Sequence, residues 1–312
     1  MIDRKPHCVV IQPIDAAGLD ILRAGGIAVD QARSTDHHDL YPLLAEADAV
    51  ITRNFGLPSE AMAQARRLSV IGVHGTGMDR VDLATARERG IRVVNTPGSN
   101  AQSVAEHALA LMLAAARHLP DADRELRAGN FNWRLTSGAY GIELSGRTLG
   151  LWGFGHVARR LARMAQGIGM QVIVLSAHAE PAELAAEGLT AARDADDLLA
   201  RADVLSLHGL PGPRPLVGTR ELALMRRGAI LVNTARGALV DEAALIAALE
   251  NGQLRSAALD VFVPEPLPAG SPLTTCPNLI LTPHIGGTTL QAMRTTAQDV
   301  ARAVLAALAH RP

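Results

Sequence analysis

Short apolar runs alternate with helical patterns along nearly the whole chain. Runs at Cys8–Ile11, Ala49–Thr52, Ser69–Val73 and Arg92–Val94 come first. Thr148–Trp152, Val172–Leu175, Val204–Leu207, Ala229–Val232, Ser256–Leu259 and Leu279–Leu281 follow. Within them apolar residues are consecutive, not confined to every second position. A strand that is apolar on both faces is covered on both, as in a parallel sheet. The alternation of such strands with helices predicts an α/β fold of doubly wound parallel sheets joined by right-handed crossovers.

Two helices stand out. The first begins near Ser103, with Glu106 three residues on as the second half of a capping box, and runs to about Leu119 before Pro120. Pro97-Gly98-Ser99-Asn100 precedes it and predicts a change of domain. The second runs from about Thr289 to Ala309, after Gly286-Gly287, with apolar positions at Met293, Ala297, Val300, Val304 and Leu308. It is placed to cross back to the first domain. There is no internal repeat and no low-complexity segment.

Composition narrows the class. The chain has 312 residues, enough for two ordinary domains, and is 48% hydrophobic and 20% charged, which predicts packed cores and not disorder. Aromatics make up only 3%, so the cores must be built from Ala, Val, Leu and Ile. A net charge of −1 gives no support to nucleic acid or a membrane surface as partner. Cys8 and Cys276 are far apart and form no CxxC pattern, so neither a disulfide framework nor a metal site is expected. The longest apolar stretch, around Ala108 to Ala116, is too short to span a bilayer. No signal-like segment precedes Cys8, and a cytoplasmic enzyme is the expectation.

Candidate chemistry lies at the ends of the runs. Thr148 to Ala158 reads as a strand, a glycine turn and a helix start, with Gly153, Gly155 and Ala158 in the G-x-G-x-x-G/A pattern. Gly153 suits the turn, Gly155 lets the backbone approach a pyrophosphate, and Ala158 lets helix and strand pack closely. The helix N-terminus then offers N–H groups to phosphate. About twenty residues on, an acid would hold the adenosine ribose of NAD; here stands Ser176, followed by His178. Ser176 does not repel a 2′-phosphate, so NADP is favoured over NAD, although no Arg or Lys follows within that turn and Glu180 is near.

Arg236, Glu265 and His284 each follow a later run. Ligands of open α/β sheets bind outside the carboxyl ends of the strands. Arg236 offers a planar fork for a carboxylate. His284 suits a proton carrier near neutral pH. Glu265 suits a partner that fixes the imidazole tautomer and favours its protonated form. Together they suit a 2-oxo acid reduced by hydride, with His284 protonating the new alkoxide. Singly, each has a plainer role: surface ion pair, solvated turn, helix cap. Their joint placement downstream of a dinucleotide turn favours catalysis. His208, after Val204–Leu207, is expected to be structural or to line the cofactor. Asp260, after Leu259, is placed to hydrogen-bond a nicotinamide carboxamide.

Seven segments together carry a resemblance over nearly the full length: Gly75 to Asp79, Val93 to Gly98, Ser103 to Ala108, the Gly153 turn, Asn233 to Gly237, Leu259 to Phe262, and Pro283 to Gly287. The chain resembles the D-isomer-specific 2-hydroxyacid dehydrogenases, in the branch of D-3-phosphoglycerate dehydrogenase and the hydroxypyruvate/glyoxylate reductases. The resemblance implies Arg236, Glu265 and His284 as catalytic residues. It implies cofactor contacts at Gly155, His156, Val157, Thr234, Ala235, Arg236, Asp260 and Gly286. It further implies a substrate-carboxylate cradle of backbone N–H groups at His74, Gly75 and Thr76, with Arg53 on a substrate-side loop.

The implied fold has two Rossmann/flavodoxin-like domains with a cleft between them. Residues 1–99 plus 288–312 form a discontinuous substrate domain, and 100–287 the dinucleotide domain. Homodimers pair through the cofactor domains, with the Ser103 helix contributing. The chain departs from the pattern at Ser176, where an NAD-type acid is usual, and at His156, where an arginine is common. It ends at Pro312, without the C-terminal regulatory extension of longer phosphoglycerate dehydrogenases, so serine feedback through such a domain is not expected.

The expected activity is NAD(P)-dependent reduction of a small 2-oxo acid, D-specific, with hydroxypyruvate or glyoxylate ahead of 3-phosphoglycerate oxidation. The absent acid suits NADPH-driven reduction. A phosphorylated substrate would want a cationic cluster, for which Arg53 and Arg134 are the candidates. A dinucleotide-sensing, corepressor-like binding protein is the alternative from another class, and the intact trio argues against it. A formate dehydrogenase is a third, against which stands Glu265 in place of a glutamine.

Overall fold

The computed structural model of the chain describes residues 4–309. It divides into two compact units, Met1–Asn100 with Gly287–Pro312, and Ala101–Gly286. Residues 1–3 and 310–312, which the sequence assigns to the first domain, lie outside the described residues.

In the first unit, β1 (His7–Val10), β2 (Ala28–Gln31), β3 (Ala49–Thr52), β4 (Val70–Val73) and β5 (Arg92–Val94) form one parallel sheet in the order β2-β1-β3-β4-β5. This is a flavodoxin-like winding. Successive residues of a strand point to opposite faces. Cys8, Val10, Ile51 and Val70 pack against Ala297, Val300 and Val304 of the Leu290–Ala309 helix. Val9, Val50 and Ile71 pack on the other side with Leu40, Leu44 and Met62. Helices cover both faces, which is why the runs are apolar at consecutive positions. The last helix is capped by Thr289, whose Oγ1 accepts from the Ala292 N–H at 3.1 Å.

The second unit contains β6 (Thr148–Trp152), β7 (Gln171–Leu175), β8 (Thr190–Ala191), β9 (Val204–Leu207), β10 (Ala229–Asn233), β11 (Leu254–Leu259) and β12 (Leu279–Leu281). They form a parallel sheet in the order β12-β11-β10-β9-β6-β7-β8. Winding runs outward from β6 in one direction, then returns to add β9 on its other side. Leu149, Leu151, Val172, Val174, Ile230 and Val232 face the Ala101–Arg117 and His156–Gly167 helices. Ile173, Leu205, Leu207 and Leu231 face the opposite layer. The α/β class of doubly wound parallel sheets read from the sequence is therefore the fold observed.

Three expectations are corrected. The edge strands β2 and β8 were not anticipated. β2 is mostly exposed and carries Asp30 and Gln31, and β8 is two residues long, so neither leaves an apolar run. The first long helix begins at Ala101, so Ser103 lies inside it and is not its cap, and Glu106 accepts from Gln102 Nε2 at 2.8 Å. It ends at Arg117, not near Leu119: His118 adopts φ 51°, and Pro120 sits in the first turn of a new helix, Leu119–Arg127, where proline is tolerated.

Candidate active site

The carboxyl ends of six neighbouring strands in the second sheet lie level. The register runs Leu175, Trp152, Leu207, Asn233, Leu259, Leu281 from β7 through β6, β9, β10 and β11 to β12. Ser176, Gly153, His208, Thr234, Asp260 and Thr282 immediately follow these residues. Strands about 4.8 Å apart spread the row over about 24 Å. Ser176 stands at one end and the glycine turn beside it. The loops of Arg236, Glu265 and His284 leave the last three strands of the row.

At the glycine turn, Gly153 has φ 100°, and a Cβ there would lie 2.7 Å from the His208 carbonyl oxygen. Only glycine lets the ends of β6 and β9 meet this way. Gly155 starts the His156–Gly167 helix without a side-chain cap, and the space a Cβ would enter at Gly155 is open. Ala158 is fully buried against the core. Further along the row, Thr234 Oγ1 is buried and has no hydrogen-bond partner among the described residues. An uncapped helix start, open room above its glycine and an unsatisfied hydroxyl along the row all fit a bound dinucleotide.

Ser176 Oγ accepts from the His178 N–H at 3.2 Å. The turn after β7 holds no cation, but the next strand supplies one. Ala191 of β8 pairs with Val174, and the Ala192 N–H donates to Val174 O at 2.8 Å. Arg193 therefore emerges beside the end of β7; its guanidinium lies 2.9 Å from Asp197 Oδ1. His208, between the glycine turn and Thr234, has Nε2 2.9 Å from Ser206 Oγ. Burial pushes its imidazole down to about 4, so it is neutral at pH 7.

The loop after β10 is set by the fully buried Asn233, which sequence reading quoted in a motif but gave no role. Its Nδ2 donates to Arg236 O at 2.8 Å, and its Oδ1 accepts from the Ala235 N–H at 3.1 Å. Arg236 Nη1 donates to Ala235 O at 2.6 Å. Glu265 Oε1 accepts from the Phe262 N–H at 3.1 Å, while Oε2 lies 2.9 Å from His284 Nδ1. The expected Glu265–His284 pair is thus in contact, with the His284 side chain 41% exposed. Nδ1 is committed to Glu265, and Nε2 makes no hydrogen bond among the described residues.

Asp260, 1% exposed, is engaged with its own surroundings. Oδ1 accepts from Thr282 Oγ1 at 2.6 Å and from the Ile285 N–H at 2.9 Å; Oδ2 accepts from the Gly286 N–H at 2.8 Å. Burial by itself would raise this carboxyl. Hydrogen bonds from His107, Thr282 and the Ile285 and Gly286 N–H groups outweigh it and hold the group below the usual carboxylate range. Asp260 and Gly286, both expected at the cofactor, are thus bonded to each other in holding the loop that carries His284.

In the first unit, the Arg53 N–H and the Phe55 N–H both donate to Gln12 Oε1, at 3.2 and 2.8 Å, and Arg53 Nη1 donates to Pro13 O at 2.9 Å. At the expected carboxylate cradle, two of the three N–H groups already have partners. The His74 N–H continues the β3–β4 ladder to Thr52 O at 2.8 Å, and the Gly75 N–H donates to Val73 O and Thr96 Oγ1 at 2.9 and 3.1 Å. Of the three N–H groups, only that of Thr76 makes no hydrogen bond among the described residues. Burial, and secondarily the Arg53 charge, lower the His74 imidazole to about 4. Its Nε2 is buried without a partner among the described residues.

Residues 109–286 match the family described as D-isomer specific 2-hydroxyacid dehydrogenase, NAD binding domain, and the second unit is accordingly a nicotinamide dinucleotide-binding domain. D-3-phosphoglycerate dehydrogenase of Mycobacterium tuberculosis is 40% identical over 277 residues, which cover 88% of this chain and 52% of that protein. The chain thus spans about half the length of the phosphoglycerate dehydrogenases it matches. Glyoxylate reductase of Aeropyrum pernix is 38% identical over 297 residues, 92% of this chain and 88% of the reductase. Among solved structures, the TT0316 protein of Thermus thermophilus superposes with a TM-score of 0.87 at 37% identity, covering 98% of this chain and 97% of that one. Among the described residues no helix is long and apolar enough to cross a membrane. The chain belongs to the D-isomer-specific 2-hydroxyacid dehydrogenase family.

Proposed function

We propose that the protein transfers hydride between a nicotinamide dinucleotide and C2 of a small 2-oxo or 2-hydroxy acid with D stereochemistry, and that it works as a hydroxypyruvate or glyoxylate reductase. The observation that carries this reading is the 2.9 Å contact of Glu265 with His284 on the same row of strand ends as the Gly153 turn. When bound, the dinucleotide supplies the hydride. Arg236 pairs with the carboxylate of the acid and polarises its C2 carbonyl. His284 Nε2 gives a proton to the C2 oxygen as negative charge develops there. Glu265 keeps the Nδ1 proton in place and offsets the charge of the imidazolium.

Gly153, Gly155, His156 and Val157 serve the pyrophosphate, and Thr234, Ala235, Arg236, Asp260, Gly286 and the neutral His208 the nicotinamide half. Arg53, His74 and Thr76 are assigned to the acid. NADP over NAD is supported by Ser176 in place of an acid and by Arg193 emerging beside it. A homodimer is supported by Leu119, Leu126, Phe131, Leu135 and Tyr140, each more than half exposed within one segment of 22 residues. A cytoplasmic location goes with this reading. Phosphoglycerate oxidation is the second reading, favoured by the 40% identity to those enzymes.

A spectrophotometric panel separates these. Hydroxypyruvate, glyoxylate, pyruvate and 2-ketogluconate are offered with NADH and NADPH, and 3-phosphoglycerate with NAD and NADP. The fastest turnover is expected for hydroxypyruvate or glyoxylate with NADPH. Faster oxidation of 3-phosphoglycerate would reassign the substrate. No turnover with any acid would overturn the enzyme reading and leave a dinucleotide-binding protein.

A further inference from the structure

Ser103 and His107 lie four residues apart on one face of the Ala101–Arg117 helix, and neither caps it. A serine inside a helix gains nothing from its intrinsic propensity and usually bonds back to the preceding turn. Ser103 instead donates outward, from a buried hydroxyl to Gly286 O at 2.6 Å. His107 Nε2 lies 3.0 Å from Thr282 Oγ1 and 3.4 Å from Asp260 Oδ1. Thr282 and Gly286 stand two residues before and two residues after His284. Both ends of this short loop are therefore tied to the same helix face, with Asp260 bridging Thr282, Ile285 and Gly286.

The loop sits close to this face. A Cβ at Gly286 would lie 3.0 Å from Asp260 Oδ2 and 3.5 Å from His107 Cδ2. His284 at its apex has φ 53°, a left-handed conformation uncommon for residues with a side chain, although histidine is among those that adopt it most readily. A plain packing role would explain why the Ser103 hydroxyl has a partner. It does not explain why the bonds converge on the two flanks of one residue.

We propose that Ser103 and His107 are positioning residues for His284: through Gly286, Thr282 and Asp260 they hold the loop in the conformation that presents His284 Nδ1 to Glu265. This rests on the reading of His284 as the proton carrier. Loss of either tie lets the apex relax, and the imidazole leaves Glu265 for part of the time. The glycine turn that serves the pyrophosphate does not depend on the loop, whereas the nicotinamide half shares Asp260 and Gly286 with it.

The test uses the full-length protein and two readouts. In ¹⁵N-histidine-labelled protein, the Nδ1–H resonance of His284 is identified by its loss in Glu265→Ala; it is expected to weaken or vanish in Ser103→Ala and in His107→Leu. In steady-state reduction of the preferred acid, both variants are expected to lose about tenfold or more in kcat, while the Kd for ADP-ribose, which lacks the nicotinamide, stays unchanged when measured by calorimetric titration. In a His284→Ala background, Ser103→Ala is expected to cost less than about twofold, because residues acting through one group are not additive. An unaltered Nδ1–H resonance, or an equal loss of kcat in both backgrounds, overturns the proposal. His107→Leu keeps it open to refutation if Ser103→Ala does not fold. Absence of turnover in the wild-type protein overturns the enzyme reading only, since the resonance still reports on the clamp.

Discussion

In the proposed mechanism His284 carries proton transfer and Arg236 carboxylate binding, and their variants separate the two. His284→Ala is expected to lower kcat by about 10²–10⁴-fold, the usual contribution of an acid/base group, with dinucleotide affinity unchanged. Near-wild-type turnover in that variant would remove the proposed mechanism. Arg236→Ala is expected chiefly to raise KM for the acid, because the bidentate pairing is present in the ground state as well as the transition state. Ser176→Asp places a carboxylate where a 2′-phosphate is proposed to lie, so the NADPH/NADH ratio of kcat/KM should fall about tenfold or more. An unchanged ratio would place the ribose elsewhere. These residues were legible because a charged or imidazole side chain at the end of an apolar run is unusual. Asn233, Thr282 and Gln12 were not legible, because a neutral polar residue acts through the backbone groups it reaches, and those are known only once the chain is folded.

At the level of elements, the level row of strand ends is what turns separate residues into a site. Asn233 holds the β10 loop through one donor and one acceptor, both satisfied in a fully buried place. Asn233→Ala leaves the Ala235 N–H without its Asn233 partner and the Arg236 carbonyl with the Leu239 N–H, and should cost about 1–3 kcal/mol in chemical denaturation. It should also raise KM for the acid through Arg236. A stability change without a KM change would mean that the loop does not depend on Asn233. The central strands were read from the sequence to within a residue or two at each end, because both faces are buried and most positions are apolar. Edge strands β2 and β8 escaped because an edge needs less apolar cover. The missed β8 had a chemical consequence: its pairing with β7 brings the chain that leads into Arg193 alongside the end of β7.

For the whole molecule, the half-buried His74 and His208 predict how stability responds to acid. His74 and His208 are held neutral by burial, at about 4 in the folded protein, against roughly 6.5 in an unfolded chain. Between those values the unfolded chain binds more protons, so stability rises with pH. The contribution is complete above roughly pH 6.5 and is lost as pH falls toward 4, by up to about 3 kcal/mol for each group. Denaturation at pH 7.5 and pH 5 should show a smaller difference in His208→Gln than in the wild type; an equal difference would assign the acid sensitivity to other groups. The exposed apolar segment around Phe131 and Leu135 belongs to the same scale. The protein is expected to sediment as a dimer, and Phe131→Glu with Leu135→Glu to yield a monomer.

Side-chain periodicity and glycine placement are local properties. The sequence by itself therefore determined the α/β class, most strands and the dinucleotide turn, and put forward Arg236, Glu265 and His284 as candidates. Tertiary structure decided what depends on contacts between distant segments. It paired Glu265 with His284, turned Asp260 inward to the loop, spent the His74 N–H on the sheet and the Gly75 N–H on Val73 and Thr96, and moved Ser103 from a helix cap to a partner of Gly286. Each is a hydrogen bond whose partner lies elsewhere in the chain, or whose geometry exists only after the sheet has set its register.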